Sequence, residues 1–548
     1  MLEDKDLLSI QEVRTKVEKA YQAWQKYRTF SQEQVDAIVE RAAAAARANA
    51  RRLAEMAVEE TGYGNAKDKY IKNLLNCDWL PTRMRGMKTV GVLRELPDQK
   101  IVEIGCPVGV VAAILPTTNP TSTAIYKTLI SLKAGNAVVI SPHPRAHKCT
   151  CATAAILYKA AVEAGAPEEI VQCIDNATME GTNALMKHER TGVILSTGGA
   201  GIVKAAYSSG KPAFGVGPGN VPVLVDTSAD LDDAIPKIVT GKSFDYGTVC
   251  SSEQAIVAEA SMRDRIIALL KANHAYFCTD AQKEALGKLL VTPNWSINPQ
   301  CVGQAPTKLA KMAGFEVPAD TTIICAEIGG VGKQHPLSME KLSPVLSLLW
   351  VPDFDKALDT CYGLLKFGGL GHTAVIYSKD DARIRQFGMR MPAMRVLVNT
   401  PAPQGSTGIT TNVFPGMTLG CGAEAGNITS DNVGPQHLIN IKRLSYVVRK
   451  PEEAFQMPLD INQAPAGPPI QTGVGPIDRG TLVAAVERYL ESRGIAIAAS
   501  AGGPAGGPSC ASGCAAPTAP VKQAVVNNAT ADVVDRFLAR RSPGERPT

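Results

Sequence analysis

Cys250 stands in the segment Ser243-Phe244-Asp245-Tyr246-Gly247-Thr248-Val249-Cys250-Ser251-Ser252-Glu253-Gln254. Most cysteines are small buried hydrophobes, but small polar neighbours on both sides suit a thiol presented to a substrate. A thiolate there could add to an electrophilic carbonyl and carry the acyl group as a thioester. That chemistry needs a donor for the oxyanion. Leu115-Pro116-Thr117-Thr118-Asn119-Pro120-Thr121-Ser122 provides one, a strand end carrying the Asn119 amide. A third polar segment is the glycine-flanked loop Gly369-Leu370-Gly371-His372-Thr373, which carries a histidine.

A fourth segment, Leu195-Ser196-Thr197-Gly198-Gly199-Ala200-Gly201, follows a strand-like run at 192–195 and precedes a helix-like run at 202–209. Strand, glycine turn and helix together let backbone amides and a helix N-terminus approach a nucleotide diphosphate. Gly329-Gly330-Val331-Gly332-Lys333 looks like a phosphate loop only superficially. Gln334 stands where a Mg²⁺-binding hydroxyl is required, and Glu327 where the first glycine should be. No metal site is expected.

The elements that must position these residues are helices first, then an alternation. Ser31-Gln32-Glu33-Gln34 is a capping-box signal ahead of an alanine-rich helix running to about Glu60. From residue 101 onward, β-rich runs (IVEIG, VGVVAAILP, AVVIS, TGVILS and VPVLVD) alternate with helical patterns, which argues for an α/β fold with a parallel sheet. Composition changes near Pro451. The stretch 496–520 carries no charge and no aromatic side chain, and reads as a flexible linker. Two amphipathic islands interrupt the tail, Thr481–Arg493 and Ala531–Arg541, each a short helix that would gain stability by docking on a partner.

Composition narrows the class. The chain has 548 residues, 45% of them hydrophobic and 20% charged, the values of a globular protein of enzyme size. A net charge of +5 is too small to predict nucleic-acid binding. The acidic start at 1–6 lacks the apolar run of a secretory signal, and the longest apolar stretch, 107–115, is half a membrane span. No membrane anchor is expected, and the cytoplasm is the expected compartment. The 13 cysteines, odd in number and scattered, read as reduced thiols rather than a disulfide framework.

Taken together, and in this order, the four segments resemble the CoA-acylating branch of the aldehyde dehydrogenase superfamily. The likeness runs from about residue 10 to 450. It is strongest at 117–122, 140–146, 196–220, 243–254, 340–346, 369–373 and 418–422. The resemblance implies a Rossmann-type cofactor domain at 1–225 (with an oligomerisation strand near 95–107), a catalytic α/β domain at 226–425, and a return segment and β oligomerisation arm at 426–450. A linker at 451–529 with a short helix at 481–493 and a candidate encapsulation peptide at 530–541 would follow.

It also implies roles. Cys250 would be the nucleophile, and Asn119 with the Cys250 backbone N–H would bind the oxyanion. His372 would move the proton. Thr117, Ser196, Thr197, Gly198, Gly199, Gly201 and Gly215 would line the cofactor site, Pro142 and His143 the adenosine end, and Glu340 the nicotinamide ribose. Ser141 stands where hydrolytic members carry a lysine, and NAD rather than NADP is what the family implies, not what these residues show. Gly215, 35 residues before Cys250, replaces the glutamate that activates water in hydrolytic members. Without that base, hydrolysis of the thioester is slow and a thiol such as CoA accepts the acyl group.

No alcohol dehydrogenase region follows within the 548 residues, so the free or microcompartment-enclosed forms of the branch fit better than the bifunctional one. The expected substrate is a short aldehyde, propionaldehyde first and acetaldehyde second. The expected partners are CoA, a second copy or three further copies of the chain, and a bacterial microcompartment shell or its co-cargo enzymes. A free cytosolic semialdehyde dehydrogenase, a hydrolytic aldehyde dehydrogenase and a non-catalytic interaction protein are the alternatives.

Overall fold

The computed structural model describes residues 4–455 and 479–492. The chain divides into two compact units, Met1–Val448 and Arg449–Thr548.

In the first unit the predicted capping box forms. The Ser31 side chain accepts from Gln34 N, and Gln34 returns its side-chain oxygen to Ser31 N, opening helix Gln32–Thr61. Its buried face (Val35, Ile38, Val39, Ala42, Ala43, Ala46) packs into the same core as Val110, Val111, Val138 and Ile194. Those strand residues belong to a five-stranded, all-parallel sheet. Across it run Val171–Cys173, Ala137–Ser141, Val110–Ile114, Thr191–Thr197 and Ala213–Val216. The chain starts in the middle, builds outward to one edge, then returns to build the other side. This order leaves a crevice at the carboxyl ends of the central strands.

A second parallel sheet has seven strands, in the order Ala275–Phe277, Ile323–Glu327, Val345–Val351, Glu253–Glu259, Val221–Val225, Gly371–Tyr377 and Ala393–Val398. Both sheets read as near-continuous apolar runs, as strands covered on two faces must. The run at 101–107 is the exception to the parallel expectation. It pairs antiparallel with Gly91–Leu96 through the turn Pro97–Gln99, and antiparallel with Ile439–Ser445 on its other side. A connection of four residues, 97–100, can only return the chain antiparallel, which overrides the alternation read from sequence. Val92, Ile441, Leu444 and Tyr446 are left exposed on and beside this sheet.

One thiol expectation is corrected. Cys151, on helix His147–Glu163, is disulfide-bonded to Cys173 at the end of strand Val171–Cys173, with Cα atoms 5.7 Å apart. The pairing depends on the register between helix and edge strand, which 22 residues of sequence separation do not display. Among the described residues the other cysteines are free.

In the second unit the predicted island at 481–493 is helix Arg479–Ser492, with Leu482 and Val486 packed on buried Val483. The proposed encapsulation peptide at 530–541 lies outside the described residues. Among the described residues, no helix is long and apolar enough to cross a membrane.

Candidate active site

A cavity of about 1160 Å³ lies between the two parallel sheets. The carboxyl ends of the five-stranded sheet supply residues 114–119, 141–145, 197–199, 201 and 202. The segments entering the seven-stranded sheet supply Gly217 and Pro218 before Val221–Val225, Thr248 to Cys250 before Glu253–Glu259, and Glu340 before Val345–Val351. The topology therefore brings together residues more than 200 positions apart.

Cys250 lies in the turn 249–252, where Ser252 N donates to Val249 O, and packs among Val216, Leu419 and Cys421. Three consecutive left-handed residues precede it: Asp245, Tyr246 and Gly247. Such backbone persists in non-glycine residues only where the surroundings enforce it. Here Asp245 is the enforcement. Its buried carboxylate accepts from Asn65 N (2.8 Å), Lys69 Nζ (3.0 Å), Thr248 Oγ1 (2.6 Å) and Lys72 Nζ, while its own N–H donates to Asp68 (2.7 Å). Gly64 makes room for this, because a Cβ at that position would meet the Asp245 carboxylate at 1.8 Å.

Asn119 opens helix Pro120–Lys133 at the end of strand Val110–Ile114. Its Oδ1 accepts from Lys72 Nζ at 2.6 Å. An ammonium has only donors, so this bond settles which end of the amide is the oxygen. Nδ2 then gives one N–H to Thr118 Oγ1 (3.0 Å) and has a second to offer. Lys72 also donates to Thr248 Oγ1 at 2.8 Å. One buried cation thus couples the Asn119 amide to the loop that carries Cys250.

Burial lowers the Lys72 ammonium to about 8 against the pull of Asp245. Burial alone would raise the Asp245 carboxyl, but the two lysines hold it below its usual range. Removing one partner of a buried pair typically costs 3–5 kcal/mol. Lys72→Met is therefore expected to lower the denaturant midpoint by an amount equivalent to ~3–5 kcal/mol, measured by intrinsic fluorescence. An unchanged midpoint would remove this network from the account of the fold.

These lysines were missed in the sequence. Helix Ala66–Leu74 buries Lys69, Lys72 and Asn73 while Ile71 lies exposed, the reverse of the usual polarity. That inversion, charged residues at i and i+3 with apolar ones facing out, is the signal that could have found them. Arg395 was missed as well. Buried behind the site, it donates to the carbonyls of Gly420 (2.7 Å) and His372 (2.6 Å), tying 418–422 to the strand that carries His372.

Desolvation, with the nearby Glu340 and Cys421 adding to it, pushes the Cys250 thiol up to about 12. A desolvated thiol is harder to ionise than a free one. Carbamidomethylation of Cys250 by iodoacetamide is expected to accelerate about tenfold per pH unit from pH 7 to pH 10. Peptide mapping of the modified chain reads this out, and a plateau below pH 8 would contradict it.

Glu340 is the only carboxylate among the described residues that line the cavity, and it accepts from Gly219 N at 3.0 Å. Burial raises it to about 8. Gly219 itself is required. A Cβ there would meet the Cys250 carbonyl oxygen at 2.0 Å and His372 Cγ at 3.2 Å.

Of the predicted residues, Thr117, Asn119, Pro142, His143, Thr197, Gly198, Gly199, Gly201, Cys250 and Glu340 line the cavity. Ser196, Gly215 and His372 do not. Ser196 is fully buried inside strand Thr191–Thr197. His372 is a buried strand residue at the start of Gly371–Tyr377, not part of a loop, because Gly371 takes φ +74° and the strand begins there. Its Nδ1 lies 3.0 Å from Thr373 Oγ1, its Nε2 is buried without a partner, and burial beside Arg395 keeps it neutral.

Gly215 departs most from expectation. In strand Ala213–Val216 it exchanges hydrogen bonds with Tyr207 Oη, and a Cβ would point at Val203 Cγ1 (2.6 Å) and the Tyr207 ring (3.1 Å). Strand alternation turns it away from the cavity while Val216 faces in. A glutamate engineered at this position would meet helix Ala200–Tyr207 before it reached a thioester.

The glycine turn 198–201 fits a dinucleotide. It sits at the carboxyl edge of the parallel sheet, and Cβ positions on Gly199 and Gly201 would meet nothing within 4 Å, so backbone can be approached closely. Gly199 is the N-cap of helix Ala200–Tyr207, whose first-turn amides favour an anion.

The model of the aldehyde dehydrogenase family matches residues 6–287. Over 443 residues the chain is 43% identical to the bifunctional aldehyde-alcohol dehydrogenase AdhE of Escherichia coli K12, covering 80% of this chain and 50% of that protein. The chain thus spans about half the length of this and the other aldehyde-alcohol dehydrogenases it matches. It is 37% identical over 430 residues to the succinate-semialdehyde dehydrogenase (acetylating) of Clostridium kluyveri, covering 78% of this chain and 94% of the relative.

Among solved structures, an acetylating aldehyde dehydrogenase from Geobacillus thermoglucosidasius superposes with TM-score 0.81 at 48% identity, covering 82% of this chain and 99% of that one. A propionaldehyde dehydrogenase from the Clostridium phytofermentans fucose utilisation microcompartment gives 0.71 at 29%, covering 79% and 97%. A Rhodopseudomonas palustris propionaldehyde dehydrogenase with bound CoA and an acylated cysteine gives 0.70 at 31%, covering 79% and 97%.

Proposed function

This chain belongs to the acylating branch of the aldehyde dehydrogenase family, and from that premise we propose that it oxidises a short-chain aldehyde to the acyl-CoA with reduction of NAD. One observation carries the reading. Cys250 and Asn119 face a single cavity whose only carboxylate among the described residues, Glu340, accepts from the Gly219 amide.

The Cys250 sulfur adds to the aldehyde carbon, and the oxygen takes up the electron pair released from the C=O bond. Asn119 Nδ2, aimed by Lys72, and the Cys250 backbone N–H stabilise that oxygen. Thr197, Gly198, Gly199 and Gly201 would hold the dinucleotide phosphates, Pro142 and His143 the adenosine end and Glu340 the nicotinamide ribose. A bound nicotinamide would supply the hydride acceptor that makes the Cys250 adduct a thioester. With no carboxylate positioned as a base for water, the acyl group stays on Cys250 until CoA thiolate displaces it. His372, buried and neutral behind Gly219, is the reserve for proton transfer.

Propionaldehyde is the preferred substrate in this reading and acetaldehyde the second, supported by the two propionaldehyde dehydrogenases among the structural relatives. The microcompartment assignment is supported by the Clostridium phytofermentans relative and by the amphipathic sequence at 530–541, which would dock to shell or co-cargo. The Clostridium kluyveri relative supports a free CoA-acylating semialdehyde dehydrogenase equally well. The exposed apolar residues Ile441, Leu444 and Tyr446 support a dimer or tetramer built on the three-stranded arm.

The test is NADH release with C2 to C4 aldehydes and succinate semialdehyde, with and without CoA. Sustained turnover is expected only with CoA, and CoA-independent carboxylate formation at an equal rate would overturn the proposal. Co-sedimentation of the full chain and a chain truncated at residue 450 with shell protein separates the enclosed from the free form.

A further inference from the structure

Away from the cavity mouth, four ligand-type side chains converge on one spot. His147 and Cys151 are four residues apart on helix His147–Glu163, so they share a face. Cys173 ends the edge strand Val171–Cys173, and Asp175 follows two residues later. One imidazole nitrogen, the Cys151 sulfur and one Asp175 oxygen all lie within 4.8 Å of one another, and the Cys173 sulfur is bonded to that of Cys151. Independently, His147 Nε2 is buried with no hydrogen-bond partner. A ring nitrogen removed from water without a partner costs free energy unless something else takes its lone pair or proton.

The surroundings hold the cluster from both sides. Glu60 accepts from the N–H groups of Lys148 and Cys149 at the start of the helix, both at 2.7 Å. Lys16 pairs with Asp175 (2.5 Å), and Glu12 accepts from Asp175 N (2.6 Å) and Asn176 N (2.8 Å). Cys149 is not part of the group, since its thiol turns to the Ala146 carbonyl.

Two sulfurs, one imidazole and one carboxylate make a zinc set. Tetrahedral sites with bonds of 2.0–2.3 Å place ligand atoms roughly 3.3–3.8 Å apart, within side-chain rotation of what is seen here. We propose that reduction of Cys151–Cys173 opens a structural zinc site formed by His147, Cys151, Cys173 and Asp175, so that disulfide and bound zinc are alternative states of one place in the fold. The balance is simple. A dithiol gives two electrons and two protons to the disulfide and becomes a cyclic disulfide, leaving two cysteine thiols. Zn²⁺ then displaces the two thiol protons and binds both thiolates. Either state fastens the segment after the edge strand to the neighbouring helix. That segment leads to Thr178 and Met179 of the cavity wall.

The experiment uses the full chain carrying Cys250→Ala, which removes the active-site thiol as a competing ligand. After reduction and desalting it is titrated anaerobically with Co²⁺, read by thiolate-to-cobalt charge-transfer absorption, and back-titrated with Zn²⁺. The expected result is one ion per reduced chain, displaced by one equivalent of zinc, and none in the oxidised chain. His147→Ala, which keeps both cysteines, should weaken binding by about tenfold or more, as should Cys151→Ser. Binding that is absent from the reduced chain, unchanged in both variants, or equal in the oxidised chain overturns the proposal. Circular dichroism of each variant confirms that loss of binding is not loss of fold.

Discussion

Replacing Cys250 with alanine is expected to abolish CoA-dependent NADH formation, a fall in kcat on the order of 10⁴-fold or more, because no other nucleophile can form the thioester. The fold should survive. Cys250 touches Val216, Leu419 and Cys421 at a cavity wall, and trimming one sulfur there removes little packing. The comparison is steady-state turnover against dinucleotide binding by fluorescence quenching, on the same preparation. Retained turnover with intact binding would sink the covalent scheme altogether. Lost turnover with lost binding would point to collapse of the site.

Asn119→Ala should cost about 10²–10³ in kcat, the typical effect of removing one oxyanion donor. The loss belongs in kcat, because the donor engages an oxygen that carries charge only after the sulfur has added. Lys72 would keep Asp245 and Thr248 as partners, so the nucleophile loop should hold its shape. Iodoacetamide modification of Cys250, which forms no oxyanion, should proceed at the parent rate. A parallel drop in both would make Asn119 a structural residue. An unchanged kcat would move the oxyanion site elsewhere.

Much of the molecule was legible in the chain because it is locally encoded. The capping box at Ser31, the apolar strand runs and the glycine turn at 198–201 are each built by residues a few positions apart. Cys250 and Asn119 were legible for a related reason, since each stands in a polar turn where an apolar strand stops or starts. What surrounds them was not. Lys72 lies 173 positions from Asp245 in sequence, and two lysines on a short helix look like solvated charges until the fold buries a carboxylate against them.

Gly215 shows the same boundary from the other side. Counting back from the cysteine picks out this glycine, but only the strand's alternation shows that its Cβ faces Val203 and Tyr207 rather than the cavity. His372, read as a loop residue, stands instead in the strand that opens at Gly371, and Arg395 on the neighbouring strand holds its carbonyl.

The opening chemistry therefore divides in two. Side-chain type and short-range pattern by themselves placed a thiol, an amide and a glycine turn where the proposed nucleophile, oxyanion donor and dinucleotide site would stand, because those properties belong to residues and their immediate neighbours. Only the tertiary structure decided which way the amide points, how far the thiol is from ionising, and that two of the cysteines meet beside a histidine and an aspartate. Orientation, desolvation and convergence are set by the packing of segments that sequence order keeps apart.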